Sequence, residues 1–189
     1  MSATLDLIVE DGIQAVSFSK IFSRAGVGSG TVYNYFTNKE ELVNAVYLAT
    51  SEMLDQAVLL GYDPAAEIKA RFATLFHNMA GFVLSNRKEL ALLNACDRSP
   101  YVSEELRLRT TPAMEAALSL LSDGQKSGVF NAMNPMMTLK LLTGAIIAVA
   151  QGQLDGKYRL DDEEINDAVE ACWRAVARVP ERRVEHSVW

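Results

Sequence analysis

Two cysteines and two histidines are the whole supply of soft metal ligands in this chain of 189 residues. Cys96 and Cys172 lie far apart and show neither the spacing of a zinc site nor that of a redox dithiol. They read as buried free thiols of a protein kept in a reducing cytoplasm. His77 and His186 form no metal-spaced pair and neither stands beside a nucleophile motif. An enzyme is therefore the weaker reading, and no catalytic residue, metal or cofactor is expected. The N-terminus lacks the basic stretch and apolar core of a secretory signal. The most apolar run, Leu141 to Ala150, is too short to span a bilayer, so no membrane association is expected. Basic residues are scarce as well: 18 Lys and Arg stand against 24 Asp and Glu, a formal net charge of −6. That balance argues against a protein that binds nucleic acid over its whole surface, while leaving room for a local binding face. Convincing period-two alternation, repeats and low-complexity tracts are all missing.

What remains is helix. Apolar residues make up 49% of the chain, ample for a buried core in one or two domains. Leu5, Leu7, Ile8 and Val9, followed by Gly12, read as an apolar helix stopped by glycine. Ser17 is placed to cap a helix from Phe18 to Ala25, with Ile21 and Phe22 facing a small core. Asn38 is placed to cap the next, from Lys39 to about Leu60, with Glu40 and Glu41 in its first turn. Pro64 suits the first turn of a helix running from Ala65 to Ser85, whose wide apolar stripe (Ile68, Phe72, Leu75, Phe76, Met79, Phe82, Val83) predicts burial on most sides. Lys88 to Cys96 reads as a short helix. Another is capped by Ser103 and kinked or restarted at Pro112, ending near Leu121 with Gly124 and Gly128 at its exit. Helices from Met136 to about Leu154 and from Asp161 or Asp162 to Pro180 complete about nine elements.

The most informative stretch is residues 24–42, RAGVGSGTVYNYFTNKEEL. Arg24-Ala25-Gly26-Val27 closes one short helix and turns, Gly26 tolerating positive φ. Thr31 to Phe36 opens another, and Lys39-Glu40-Glu41-Leu42 a third. Two short helices joined by a tight glycine-containing turn fit the helix-turn-helix, which presents its second helix to the DNA major groove. The gapped pattern AGV-x-x-GT-x-Y-x-YF-x-x-KE-x-L resembles the DNA-binding domain of the TetR family of bacterial one-component repressors, over about Ala3 to Tyr47. The resemblance implies an all-α fold: a three-helix DNA-binding domain with helix-turn-helix at 1–47, then a larger helical ligand-binding and dimerisation domain at 48–180, and a polar tail at 181–189.

It also implies site residues. Thr31, Tyr33, Tyr35 and Lys39 match positions that contact DNA, mostly phosphates; packing into the three-helix core is the alternative for Tyr33. Ser19, Ser29 and Asn34 are candidates for base edges, or solvated polar positions, and Ser17 for phosphate or for capping alone. Gly28 stands where the family has a capping Ser, and Ser29 where relatives carry a longer, often basic residue. The resemblance implies a basic arm before the first helix, and Met1 falls where that helix is already under way, so the arm is read as either truncated or naturally absent. Residues 1–47 hold three cations, Lys20, Arg24 and Lys39, against Asp6, Glu10, Asp11, Glu40 and Glu41, a local net charge of −2. Such a unit binds DNA weakly unless charge comes from elsewhere.

For the ligand site the resemblance points to the middle helices: Phe72, Phe76, His77, Met79, Phe82, Leu93, Asn94, Tyr101, Met114 and Met137, each of which also reads as plain core or a satisfied polar residue. The last two long helices are expected to form a homodimer as a four-helix bundle. Gly144, Ala145, Ala148 and Gly152 would allow close approach, and Val169 and Trp173 would supply anchors, unless these pack within the chain. The partners implied are double-stranded operator DNA, a small, apolar effector and a second copy of the chain. A helical binding or scaffold protein that has lost DNA binding is the rival, and an activator is a further alternative.

Overall fold

The computed structural model describes residues 2–26, 35–97 and 99–178. Among these, nine α-helices follow one another: α1 (Ser2–Asp11), α2 (Phe18–Ala25), α3 (Lys39–Val58), α4 (Ile68–Ser85), α5 (Arg87–Asp97), α6 (Glu104–Leu108), α7 (Pro112–Lys126), α8 (Pro135–Leu154) and α9 (Asp162–Val176), with one 3₁₀ turn at Ile13–Ala15. No strand occurs in the described residues; a single bridge pairs Phe130 with Ala177. The fold is all-α, as the sequence pattern requires.

Helix ends follow local chemistry. The Ser17 hydroxyl accepts the Lys20 amide at 3.4 Å, and Gly26, at φ 64°, closes α2. The Asn38 side chain accepts the Glu41 amide at 2.8 Å, while the Glu41 carboxylate accepts from both the amide and the hydroxyl of Thr37, each at 2.8 Å. Those bonds hold the Glu41 carboxyl below its ordinary value, the backbone amide of Thr37 contributing most. Asp161 and Glu164 form a reciprocal capping box at the start of α9.

Three sequence-based boundaries shift, at Pro64, at Gly124 and at the end of α9, while Pro112 gives one of its two expected outcomes. Pro64 lies in a turn, where the Asp63 carboxylate accepts the Ala65 amide at 2.9 Å, and α4 begins only at Ile68. At Pro112 the chain restarts: α6 ends at Leu108, and α7 begins under a new cap in which Thr111 accepts the Met114 amide at 3.4 Å. Gly124 does not mark an exit. It is buried inside α7, where a Cβ would lie 2.1 Å from the Phe130 ring, and Gly128, at φ 74°, makes the turn after the helix. Finally, α9 ends at Val176, before Pro180, because Ala177 leaves the helix to pair with Phe130.

Two cores result. The larger lies where α4, at the centre, packs against α3, α7, α8 and α9. Its heart is aromatic: Phe72 packs on Phe76 with ring centroids 4.4 Å apart, and Trp173 meets Phe72 and Phe130 edge-on at 5.3 and 5.1 Å. The smaller gathers Leu7, Ile8 and Val16 with Ile21, Leu42, Val43 and Val46, and Phe36 and Phe18 pack against it. Leu92, Cys96 and Val102 from α5 and the following loop complete it. Phe22 is half-buried and stacks on Phe18 at 6.0 Å. The N-terminal helices are therefore sealed onto α5, a contact that no pattern in residues 1–47 announces.

Candidate functional site

At the N-terminal end, Ser17 and Ser19 are exposed at the start of α2. Tyr35 is 77% exposed, too open for a core residue and available to a partner. Ser29, Thr31, Tyr33 and Asn34 lie outside the described residues, as does the turn carrying Gly28. All three cations of this unit are engaged. Lys20 pairs with Asp11 and Arg24 with Glu10, each at 2.8 Å. The hydrogen bond from the partner cation is the main reason both carboxyls titrate below their ordinary values. Lys39 donates to the Gln14 carbonyl at 2.9 Å and sits 4.2 Å from the centre of the Tyr101 ring.

Tyr101 belongs to this end of the molecule. Its hydroxyl donates to Gln14 Oε1 at 3.1 Å. The Asn44 side chain donates to the Tyr101 carbonyl at 3.2 Å and accepts the Ser103 amide at 3.0 Å. The loop after α5 is thus clasped to the first turns of α3. Leu93 packs in the same small core and Asn94 is exposed on α5. These three residues do not meet the other ligand candidates.

The cavity that the middle helices do enclose has a volume of about 230 Å³ and lies between α3, α4, α7 and α8. Phe76, Met79 and Met114 line it. Phe72 is in the aromatic cluster, Phe82 is buried elsewhere on α4, and Met137 is 51% exposed at the start of α8. His77 turns toward α9: its Nδ1 meets the Ala73 carbonyl at 2.7 Å and its Nε2 meets Asn166 Oδ1.

The wall holds polar residues that the sequence reading passed over: Asp55, Thr111, Lys140 and Thr143. Asp55 is only 8% exposed. Its Oδ1 accepts the Thr111 hydroxyl at 2.6 Å and the Ala113 amide at 3.3 Å, tying α3 to the first turn of α7. One signal was available: Asp55 stands one helical turn before Val58, on the apolar stripe of α3, where a solvated carboxylate does not belong. Nearby, Arg71 is 6% exposed and donates to Tyr62 Oη at 3.0 Å and Asp123 at 2.9 Å, a satisfied structural pair beside the cavity.

On the outer side of α8, Gly144, Ala145 and Ala148 are exposed beside Leu141, which is 58% exposed. Ala171 and Ala175 of α9 are exposed too, and a shallow apolar groove lined by both helices runs between them. This α8 has 20 residues and is apolar enough to cross a membrane by length and composition, although about a third of it is buried in the protein. Gly152 faces inward: a Cβ there would lie 2.1 Å from Tyr158 Oη, which donates to the Val149 carbonyl. Val169 and Trp173 pack in the large core, Trp173 only in part.

Comparison with known proteins accounts for this arrangement. Residues 1–46 match the profile of bacterial regulatory proteins of the tetR family, and residues 47–178 match that of the tetracycline repressor-like C-terminal domain. A helix-turn-helix-type transcriptional regulator of Haemophilus influenzae is 22% identical over 177 residues, 94% of this chain and 93% of that protein. A TetR family regulator of Vibrio parahaemolyticus, of known structure, superposes with a TM-score of 0.81 at 28% identity, covering 94% of this chain and 96% of that one. A TetR family regulator of Marinobacter aquaeolei superposes with a TM-score of 0.85 at 23% identity over 93% and 92% of the two chains, a likeness of fold. Matched by the family's profiles from residue 1 to residue 178, the chain belongs to the TetR family of bacterial transcriptional regulators, DNA-binding proteins and not enzymes.

Proposed function

We propose that the chain acts in the cytoplasm as a homodimeric repressor that releases a near-palindromic operator when a small, largely apolar effector enters the cavity. Residues 1–47 form the DNA-binding unit, with Ser17, Ser19, Ser29, Thr31, Tyr33, Asn34, Tyr35 and Lys39 at the DNA. Residues 48–180 hold the effector and the second subunit. One observation carries this reading: α3 begins with Lys39 in the N-terminal unit and lines the cavity with Leu54, Asp55 and Val58 about four to five turns later. A ligand that shifts this helix must alter both ends at once, and ligand and operator then favour different conformations of one population. The exposed small-residue face of α8 and α9 supports the dimer, which would place two reading units about 34 Å apart, one turn of DNA.

A second reading, a ligand-binding helical protein without DNA function, is favoured by the engagement of Lys20, Arg24 and Lys39 within the chain. Fluorescence anisotropy separates the two. Labelled DNA from upstream of the gene, titrated with protein at two salt concentrations against scrambled DNA, is expected to bind tightly and with salt sensitivity. Equal weak binding to both fragments would point to the second reading or to a truncated N-terminal arm, and the same titration with an N-terminally extended chain separates those two. Reporter output with and without the gene distinguishes repression from activation.

A further inference from the structure

Asp55 is a buried carboxylate on the wall of a largely apolar cavity that it shares with Thr111, Lys140 and Thr143. Oδ1 takes both of its bonds, from Thr111 and Ala113. Among the described residues Oδ2 has no hydrogen-bond partner, although no fully buried side-chain nitrogen or oxygen there lacks one. Oδ2 therefore keeps its access to open space, and at a residue 8% exposed that space is the cavity it lines. No cation pairs with it among the described residues. Lys140, the other charged residue of the wall, is exposed, so water screens its charge. A carboxylate in such surroundings is costly until a counter-charge reaches it. Val58, Phe76, Met79, Met114 and Ile147 offer the rest of a ligand only apolar contact, with the Phe76 ring available to a neighbouring cation.

We propose that this cavity is a receptor for an organic cation, a protonated amine on an apolar body, with the ammonium donating to Asp55 Oδ2. The proposal rests on the reading of the cavity as the effector site and adds the class of effector. It also offers a coupling: an ammonium on Oδ2 would draw on the carboxylate whose Oδ1 ties α3 to Thr111 and Ala113 at the start of α7.

Calorimetric titration of the full-length chain with octylammonium, 1-octanol and octanoate near neutral pH tests it. Octylammonium is expected to bind about tenfold or more tighter than octanol, the ratio a charge-assisted hydrogen bond supplies, with octanoate weakest. Asp55→Asn keeps an acceptor for Thr111 and Ala113 and replaces Oδ2 by an amide donor, so it should unfold as cooperatively as the parent and lose the preference for the amine. Met79→Trp fills the cavity and leaves Asp55 untouched; it should weaken all three ligands. Equal binding of amine and alcohol, or tighter binding of octanoate, overturns the cation receptor while the cavity remains an effector site. Undiminished octylammonium binding by Met79→Trp overturns the placement. Failure of all three ligands to bind the parent overturns the cavity reading with it.

Discussion

Gly124 is a residue whose meaning depends on what lies across from it. In the sequence it stands four residues before Gly128 and looks like part of the same turn. In the fold it is the hole that the Phe130 ring fills, and Phe130 in turn abuts Phe72 and Trp173. Gly124→Ala puts a methyl group into that ring, and the aromatic cluster cannot give without disturbing its neighbours. The loss expected is about 1–3 kcal/mol, the cost of overpacking, read from urea unfolding with an unchanged slope. Cys96 behaves as its composition-based reading required. It is fully buried, and burial pushes its thiol up to about 11. Because the folded value lies above the ordinary 9.0, its contribution to stability is intact below 9.0 and is lost as the pH climbs toward 11. Ellman's reagent should find neither Cys96 nor Cys172 in the folded protein and both after unfolding, and Cys96→Ala should show a smaller alkaline loss of stability than the parent. Asp55 was the residue least legible in advance. Its place on the apolar stripe of α3 was the one local hint, and the start of α7, distant in sequence, supplies the partners that its burial requires.

Among the elements, α3 was read almost completely from local signals, because caps act within a few residues. Asn38 and Glu41 fasten its start, and Asn38→Ala is expected to cost about 1 kcal/mol in thermal unfolding. Glu41 has a lowered folded value, so its bonds to Thr37 contribute above the ordinary 4.5 and are lost as the pH falls through that lowered value. Other boundaries failed where the decisive partner was remote. The end of α9 is set by pairing with Phe130, and α5 is bound into the N-terminal core by contacts that periodicity within α5 does not disclose. The charge arithmetic of residues 1–47 was legible, but its arrangement was not. Asp11 and Glu10 hold Lys20 and Arg24 in ion pairs that phosphates would have to displace. The double substitution Glu10→Gln with Asp11→Asn frees both cations and is expected to tighten DNA binding and to steepen its salt dependence by up to two phosphate contacts, about −0.9 in logarithmic slope for each. Anisotropy titrations over a salt series measure both. An unchanged slope would mean that Lys20 and Arg24 do not reach the backbone.

At the scale of the molecule, composition and helical patterning led to an all-α chain and the resemblance carried by residues 24–42 to its two-part plan, while the outer surface needed coordinates. Gly144, Ala145 and Ala148 were chosen for size alone, and so was Gly152. The structure separates them by direction: Gly152 is occupied by Tyr158, whereas the other three share an open face of α8 with Leu141, beside Ala171 and Ala175 of α9. Small side chains on adjoining helices let backbones approach closely, and a long apolar helix only about a third buried leaves a surface that a partner would cover. In the proposed homodimer a second copy of the chain would cover that surface with the two-fold symmetry a helix-turn-helix protein uses on DNA. Ala148→Glu places a charge on the exposed small-residue face of α8, away from the subunit's core. Sedimentation should then show a monomer whose thermal unfolding is close to the parent's extrapolated low-concentration limit. Operator affinity should fall about a hundredfold or more, since each reading unit loses the effective concentration its twin provides. Effector binding, which needs only the cavity within one subunit, should persist. A variant that stays dimeric would move the interface off this face, and one that is monomeric yet binds operator as tightly as the parent would show that a single reading unit suffices.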